Sequence, residues 1–144
     1  MAAMSTASAL LIAAAVGSAL VAGIFFAFSA FVLQALDRLP PGDAAAAMRQ
    51  VNIAVINPLF FGAFFGTAGL AVAAVAFHWE HPTVIAGAAC YLLGTIGVTI
   101  AGNVPLNERL AGGAIDWPRY RRPWGRWNHV RTAAALAAAV LFLV

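Results

Sequence analysis

The chain has 144 residues, 63% hydrophobic and 9% charged, with a formal net charge of +3 and a pI near 10.0. That is too little polar material to cover a soluble globule of this length, so the composition excludes an ordinary water-soluble domain and points to one integral membrane domain over residues 1–144. Every basic residue is arginine and the arginines lie between apolar runs, which membrane topology explains better than DNA does, so no nucleic-acid partner is expected.

The first charged side chain is Asp37. The apolar run before it exceeds the ~20 residues needed to cross a bilayer and predicts a first span over 5–36. A cleaved signal peptide, with Ala13 to Ala15 as its processing site, is the competing reading. It is disfavoured by the missing basic n-region and by the apolar run continuing well past that point. Pro40, Pro41 and Gly42 mark a turn, and Asp43 is a candidate N-cap for the next helix. This second helix is predicted over 44–77, kinked at Pro58, with Asn52 and Asn57 in its first half. Gly62 and Gly66 form a G-x-x-x-G pair suited to close helix packing in lipid.

His78-Trp79-Glu80-His81-Pro82 reads as a short polar turn, leading into a third span over 83–102 with Gly87, Gly94 and Gly97 as close-packing positions. His78 and His81 are spaced to ligate a metal, although histidines in an exposed turn are usually only solvated. Cys90 sits in an apolar run and reads as a small buried hydrophobe. Residues 103–122 are predicted as an arginine-rich loop. Pro123 then suits the first turn of a fourth helix over 123–144. About thirteen apolar residues come after Arg131, fewer than a crossing needs, so this helix spans only if Trp124 through Arg131 lie at or below the interface.

Arginine marks the cytoplasmic loops. The first loop with its flanks carries Arg38 and Arg49, the third carries Arg109, Arg119, Arg121, Arg122 and Arg126, and the middle turn has none. The expected fold is therefore all-α, a transmembrane four-helix bundle with both termini on the extracytoplasmic side. Gln34, Asn52, Asn57, Asn103, Asn107, Asn128, His129 and Arg131 then collect at its cytoplasmic end. Polar groups at membrane depth are costly unless they pair or face a wet cavity, so this convergence is the candidate site. At about 100° per residue, Trp124, Trp127, Asn128 and Arg131 share one sector of the fourth helix, and His129 lies well round from it.

Plainer readings stand beside this one. Trp117 and Trp124 are in the position of an aromatic belt, and Arg119, Arg121, Arg122 and Arg126 in that of topology determinants touching lipid phosphates. Asn103 and Asn107 can cap the third helix, and His129 can serve a helix carbonyl. Arg131 is harder to dismiss, because a charged side chain near hydrocarbon needs an anion, a carbonyl cluster or a route to water; Glu108 is a candidate partner. No Walker loop, dinucleotide fingerprint, H-E-x-x-H or C-x-x-C pattern is present.

Four motifs carry a family resemblance: G-I-F-F-A-F-S-A-F-V at Gly23 to Val32; M-x-x-x-N at Met48 to Asn52 with N-P-x-F at Asn57 to Phe60; G-N-V-P-L-N at Gly102 to Asn107; and W-x-x-W-N-H-V-R-T at Trp124 to Thr132. Together they resemble the anthrone oxygenase family, small four-spanning proteins of bacteria and fungi. The resemblance implies oxidation of an anthrone-like or polyphenolic aromatic by dioxygen without a cofactor, in a multi-pass protein of the bacterial inner (plasma) membrane. Haem or copper on His129 stays open as an alternative. On this reading His129 is the general base, and Arg131, Asn128 and Asn103 are donors to the developing oxyanion. Trp124, Trp127, Asn52, Asn57, Asn107, Phe28, Phe31 and Phe60 hold the substrate. The expected partners are the lipid bilayer, a hydrophobic aromatic small molecule and dioxygen. A homo-oligomer assembled through close-packing glycines, and a non-catalytic protein binding a lipid, quinone or other anion through Arg131, are the other readings.

Overall fold

The computed structural model describes residues 5–144, and among these every regular element is helical. There are five: α1 (Thr6–Leu36), α2 (Pro41–Ala54), α3 (Pro58–Phe77), α4 (Pro82–Ala111) and α5 (Trp117–Leu141). Prolines set most of the boundaries. Pro41, Pro58 and Pro82 each stand in a first helical turn, where a missing N–H costs nothing and the fixed φ favours the start. α2 begins two residues ahead of Asp43, which lies in its first turn and is not the N-cap.

The predicted helix over 44–77 is two helices. Asn57 takes an extended backbone (φ −143°, ψ 159°) and caps both sides of the break: its Oδ1 accepts from Phe60 N at 2.9 Å and its Nδ2 donates to the Ala54 carbonyl at 2.8 Å. An asparagine able to satisfy both helix ends converts the kink into a break.

The segment 103–122 is likewise not a loop. α4 runs on to Ala111 and turns through Gly113, whose φ of +70° favours glycine. The next helix starts at Trp117, where the Asp116 side chain accepts from Arg119 N at 3.0 Å, and continues through Pro123. Proline interrupts the backbone ladder at one point, but the cap and surrounding contacts hold the helix on both sides.

α1, α3 and α4 are long and apolar enough to cross a membrane. α5 is 25 residues long, but the arginines of its first half keep it from that composition. It nonetheless makes the most extensive contacts in the bundle, with α1 on one side and α4 on the other, while α3 packs on the opposite flank of α1. α3 meets α4 through the Pro82–Gly97 half of α4, and beyond that α4 leans on α5 and α2. The two helices diverge below that contact, and α2 lies across the open end.

Glycine marks the tight crossings, although not where the sequence suggests. A Cβ on Gly94 would overlap the Ala134 side chain, one on Gly17 would overlap Thr67, and one on Gly102 would meet the Trp127 ring. Gly62 and Gly66 face open space, so the G-x-x-x-G pair does not mediate contact within this chain. Two clusters fill the interior. One runs along the apolar shafts from Ala14 to Phe142; the other gathers Leu33, Met48, Leu110, Trp117, Tyr120 and Trp124 at the end that α2 covers.

Candidate functional site

Between α1, α3 and α4, beneath α2, lies a cavity of about 650 Å³, a volume typical of small-molecule sites. Phe25, Phe28, Phe60, Phe64 and Trp124 give it aromatic walls. Its polar groups are few: Asn52, Asn107, Thr99 and Arg131, with Arg49, Gln50 and Glu108 also on its wall.

Arg131 is the unusual member. It is only 6% exposed, and its guanidinium carbon lies 3.9 Å from the Phe25 ring centroid and 5.0 Å from that of Trp124. Nε and Nη2 both donate to Asn128 Oδ1, at 3.1 and 2.9 Å, and Nη1 reaches Thr99 Oγ1 at 3.4 Å. Glu108 shares the cavity wall but does not pair with it: among the described residues the one ion pair joins Arg121 to Asp37 at 2.8 Å. Aromatic faces and neutral oxygens therefore hold this cation, and its remaining N–H groups have no acceptor among the described residues.

Asn128 makes that arrangement possible. It is fully buried, and its Nδ2 donates to the Phe25 carbonyl and to Ser29 Oγ, both at 2.8 Å, which turns Oδ1 toward Arg131. The facing stretch of α1, Phe28–Val32, is wound as a π-helix. Such winding disturbs the ordinary ladder, and the Phe25 carbonyl beside it accepts the amide. α4 carries two similar segments, Cys90–Gly97 and Thr99–Asn103, along the side that meets α5.

A second polar layer lies behind Trp124. Asn107 Oδ1 accepts from both Trp124 Nε1 and Tyr120 Oη, each at 2.9 Å, fixing the indole on the cavity wall. Asn103 Nδ2 donates to the Trp124 carbonyl at 3.2 Å, and its Oδ1 is buried without a partner. Asn103 thus braces α5 and does not line the cavity. Asn52 does line it, and its Nδ2 is buried with no hydrogen-bond partner. Outside this layer, Asp37 receives Trp117 Nε1 at 3.1 Å and Arg121 Nε at 2.8 Å, tying the end of α1 to the start of α5. Trp117 is buried in that clasp, and Trp124 is a wall of the site; neither is simply a belt residue.

The structure therefore brings together Asn52, Asn107, Phe28, Phe60, Trp124 and Arg131, with Asn128 and Asn103 immediately behind them. Four expected members stand apart. His129 is exposed on the outer face of α5 and touches neither the cavity nor Arg131, because two residues of helix turn it some 200° from Arg131. A haem or copper ion ligated by His129 inside the bundle does not fit that placement, and among the described residues no three His, Cys, Asp or Glu side chains gather as a ligand set. Trp127, 43% exposed, packs over Gly102 at the edge of the predicted sector. Phe31 is 62% exposed on α1 and absent from the cavity wall, and Asn57 is spent on capping.

Phe25, Thr99, Ser29 and Tyr120 are the members that sequence reading missed. Tyr120 shares a face with Trp124 four positions on, a signal visible only once the helix is known to begin before Pro123. Phe25 and Thr99 carry no sequence mark beyond being an aromatic and a hydroxyl in apolar runs.

Neither a curated protein nor a solved structure matches the chain. Residues 53–141, which include α3, α4 and α5, match the anthrone oxygenase family. That span holds Arg131, Asn128, Asn107, Thr99 and Trp124, most of the polar frame of the cavity, and by this match the chain belongs to the anthrone oxygenase family.

Proposed function

We propose that the cavity oxidises an anthrone-like aromatic by dioxygen without a cofactor. The observation that carries this reading is Arg131: a buried guanidinium with no carboxylate partner, on the wall of an aromatic-lined cavity. Removing a proton from the methylene between the aromatic rings leaves an enolate whose charge rests on the oxygen of the carbonyl across the central ring. A pre-aimed cation in a water-poor site stabilises that charge far more than water does. Phe25, Phe28, Phe60 and Trp124 supply flat apolar contacts.

Glu108, the one carboxylate among the described residues on the wall, is the proton acceptor in this scheme. The carbanion carbon forms a new bond to dioxygen, the resulting hydroperoxide loses water, and the methylene becomes a carbonyl. One anthrone and one dioxygen give one anthraquinone and one water. Ile53, Ile56, Phe61, Phe65 and Ile100 form an exposed apolar rim to the cavity, and both substrate and dioxygen reach it from the lipid of the surrounding membrane.

The test uses the full chain in liposomes, with oxygen consumption and anthraquinone formation monitored after anthrone is added. One-to-one stoichiometry in the parent chain, falling by about 10²-fold in Arg131→Met, is expected for loss of the oxyanion partner. Oxygen uptake no faster than in protein-free liposomes, or unchanged in the variant, sinks the reading. Anthrone binding without uptake would leave a non-catalytic binder of aromatic anions.

A further inference from the structure

We infer that the outer face of α5 holds one anionic phospholipid, with its headgroup phosphate on Arg122 and Arg126 and its glycerol and first acyl carbons in a groove beside Trp127. This site shares no residue with the cavity beneath α2, and it stands whether or not that cavity is catalytic.

At about 100° per residue, Arg119, Arg122, Arg126 and His129 fall within one sector of α5, all exposed and turned away from the buried Arg131. The same sector continues through Ala133, Leu136 and Val140, which are exposed as well. One face of the helix thus passes from cationic to aliphatic along its length, in the order in which a phospholipid passes from phosphate to hydrocarbon. Among the described residues no carboxylate pairs with Arg119, Arg122 or Arg126, since the one ion pair joins Arg121 to Asp37. Residues four apart on a helix have Cβ atoms about 5–6 Å from each other, so the guanidinium groups of Arg122 and Arg126 can converge on a single phosphate.

A groove of about 240 Å³ adjoins this face, lined by Pro123, Arg126, Trp127 and Val130. It follows the edge nearest α4, where Trp127 packs over Gly102 while remaining 43% exposed. Pro123 and Val130 are roughly two helical turns apart, so the groove leads from the level of Arg126 toward the aliphatic half of the helix. A soluble phosphate would use the arginines and leave the groove empty, and a nucleic acid would find no charge beyond His129. A second copy of the chain applied to this face would set like charges against one another. An anionic lipid satisfies the arginines and covers the groove together.

The test uses the full chain in phosphatidylcholine vesicles, in a Trp79→Phe background that leaves Trp127 the one exposed tryptophan among the described residues. Phosphatidylglycerol or phosphatidylcholine brominated near the glycerol end of its acyl chains is added at equal mole fraction, and quenching of indole fluorescence reports contact. Brominated phosphatidylglycerol should associate about tenfold more strongly than brominated phosphatidylcholine, as two basic side chains at the membrane surface provide. The preference should vanish in Arg122→Gln/Arg126→Gln and persist in Arg38→Gln/Arg109→Gln, which removes the same charge away from the groove. Trp127→Phe should abolish the quenching, and glycerol 3-phosphate in solution should not relieve it. Equal quenching by the two lipids, a preference that survives Arg122→Gln/Arg126→Gln, or an equal loss in Arg38→Gln/Arg109→Gln would each overturn the inference. So would quenching that persists in Trp127→Phe, or relief by glycerol 3-phosphate, which would mark a site for soluble anions.

Discussion

Asn128 and His129 are neighbours in the chain with opposite fates, and a pair of substitutions separates them. Asn128→Leu removes the acceptor of two guanidinium N–H groups and the donor to Phe25 and Ser29, leaving a buried cation unanchored. Hydrogen bonds to charged groups weigh about 1.5–3 kcal/mol each, so Asn128→Leu should lower stability by roughly 3 kcal/mol in detergent denaturation. His129→Ala, on an exposed face, should stay within roughly 0.5 kcal/mol of the parent and keep its anthrone-dependent oxygen uptake. Abolished uptake in His129→Ala would restore it as the base. Glu108→Gln tests the alternative, with turnover falling about 10²-fold if the carboxylate takes the proton and little changed if it does not. Arg131 was legible from sequence because a permanent charge beside apolar residues demands an explanation. Its partners were not, since Phe25 is one of ten phenylalanines and Thr99 a single hydroxyl in an apolar run, and only the fold shows which of them meets the guanidinium.

The helices divide in the same way between what a local signal fixes and what contact decides. Pro41 and Pro82 mark turns in the sequence and the apolar stretches mark the spans, whereas Pro58 reads only as a kink and becomes a break through the capping by Asn57. The helical path through Pro123 and the extension of α4 to Ala111 depend on packing against α1 and α2, which no window of sequence displays. Glycine shows the difference most sharply. Gly94→Val should disrupt the α4–α5 crossing, because even a Cβ there would sit 2.5 Å from that of Ala134. The overlap lies against a short side chain on a packed helix, so a loss of about 1–3 kcal/mol is expected from overpacking. Gly62→Ala, facing open space, should leave the detergent-solubilised chain as stable as before. A severe defect in Gly62→Ala together with a neutral Gly94→Val would mean that the helices pack in another register. Asn57→Ala should cost ~1 kcal/mol by uncapping α3 and would also loosen the cover that α2 places over the cavity.

At the scale of the whole molecule the open issue is which way the bundle faces. The start of α4 lies beside the end of the chain, where Thr83 Oγ1 donates to the Val144 carbonyl at 3.1 Å, while Arg38 of the α1–α2 turn and the arginines that flank the α4–α5 turn, Arg109, Arg119, Arg121 and Arg122, gather at the cavity end. Arginine-rich short loops resist translocation, so the cavity end should be cytoplasmic and both described ends of the chain extracytoplasmic. Membrane topology is measurable one cysteine at a time once Cys90, the chain's single cysteine, is replaced by serine. Ser5→Cys should react with an impermeant maleimide in intact cells, whereas Ala114→Cys, exposed in the α4–α5 turn, should react only in inverted vesicles. The reverse pattern would put the aromatic cavity at the outer surface. Substrate would then have to be met outside the cell, and the arginines would need a partner other than the inner leaflet to explain them.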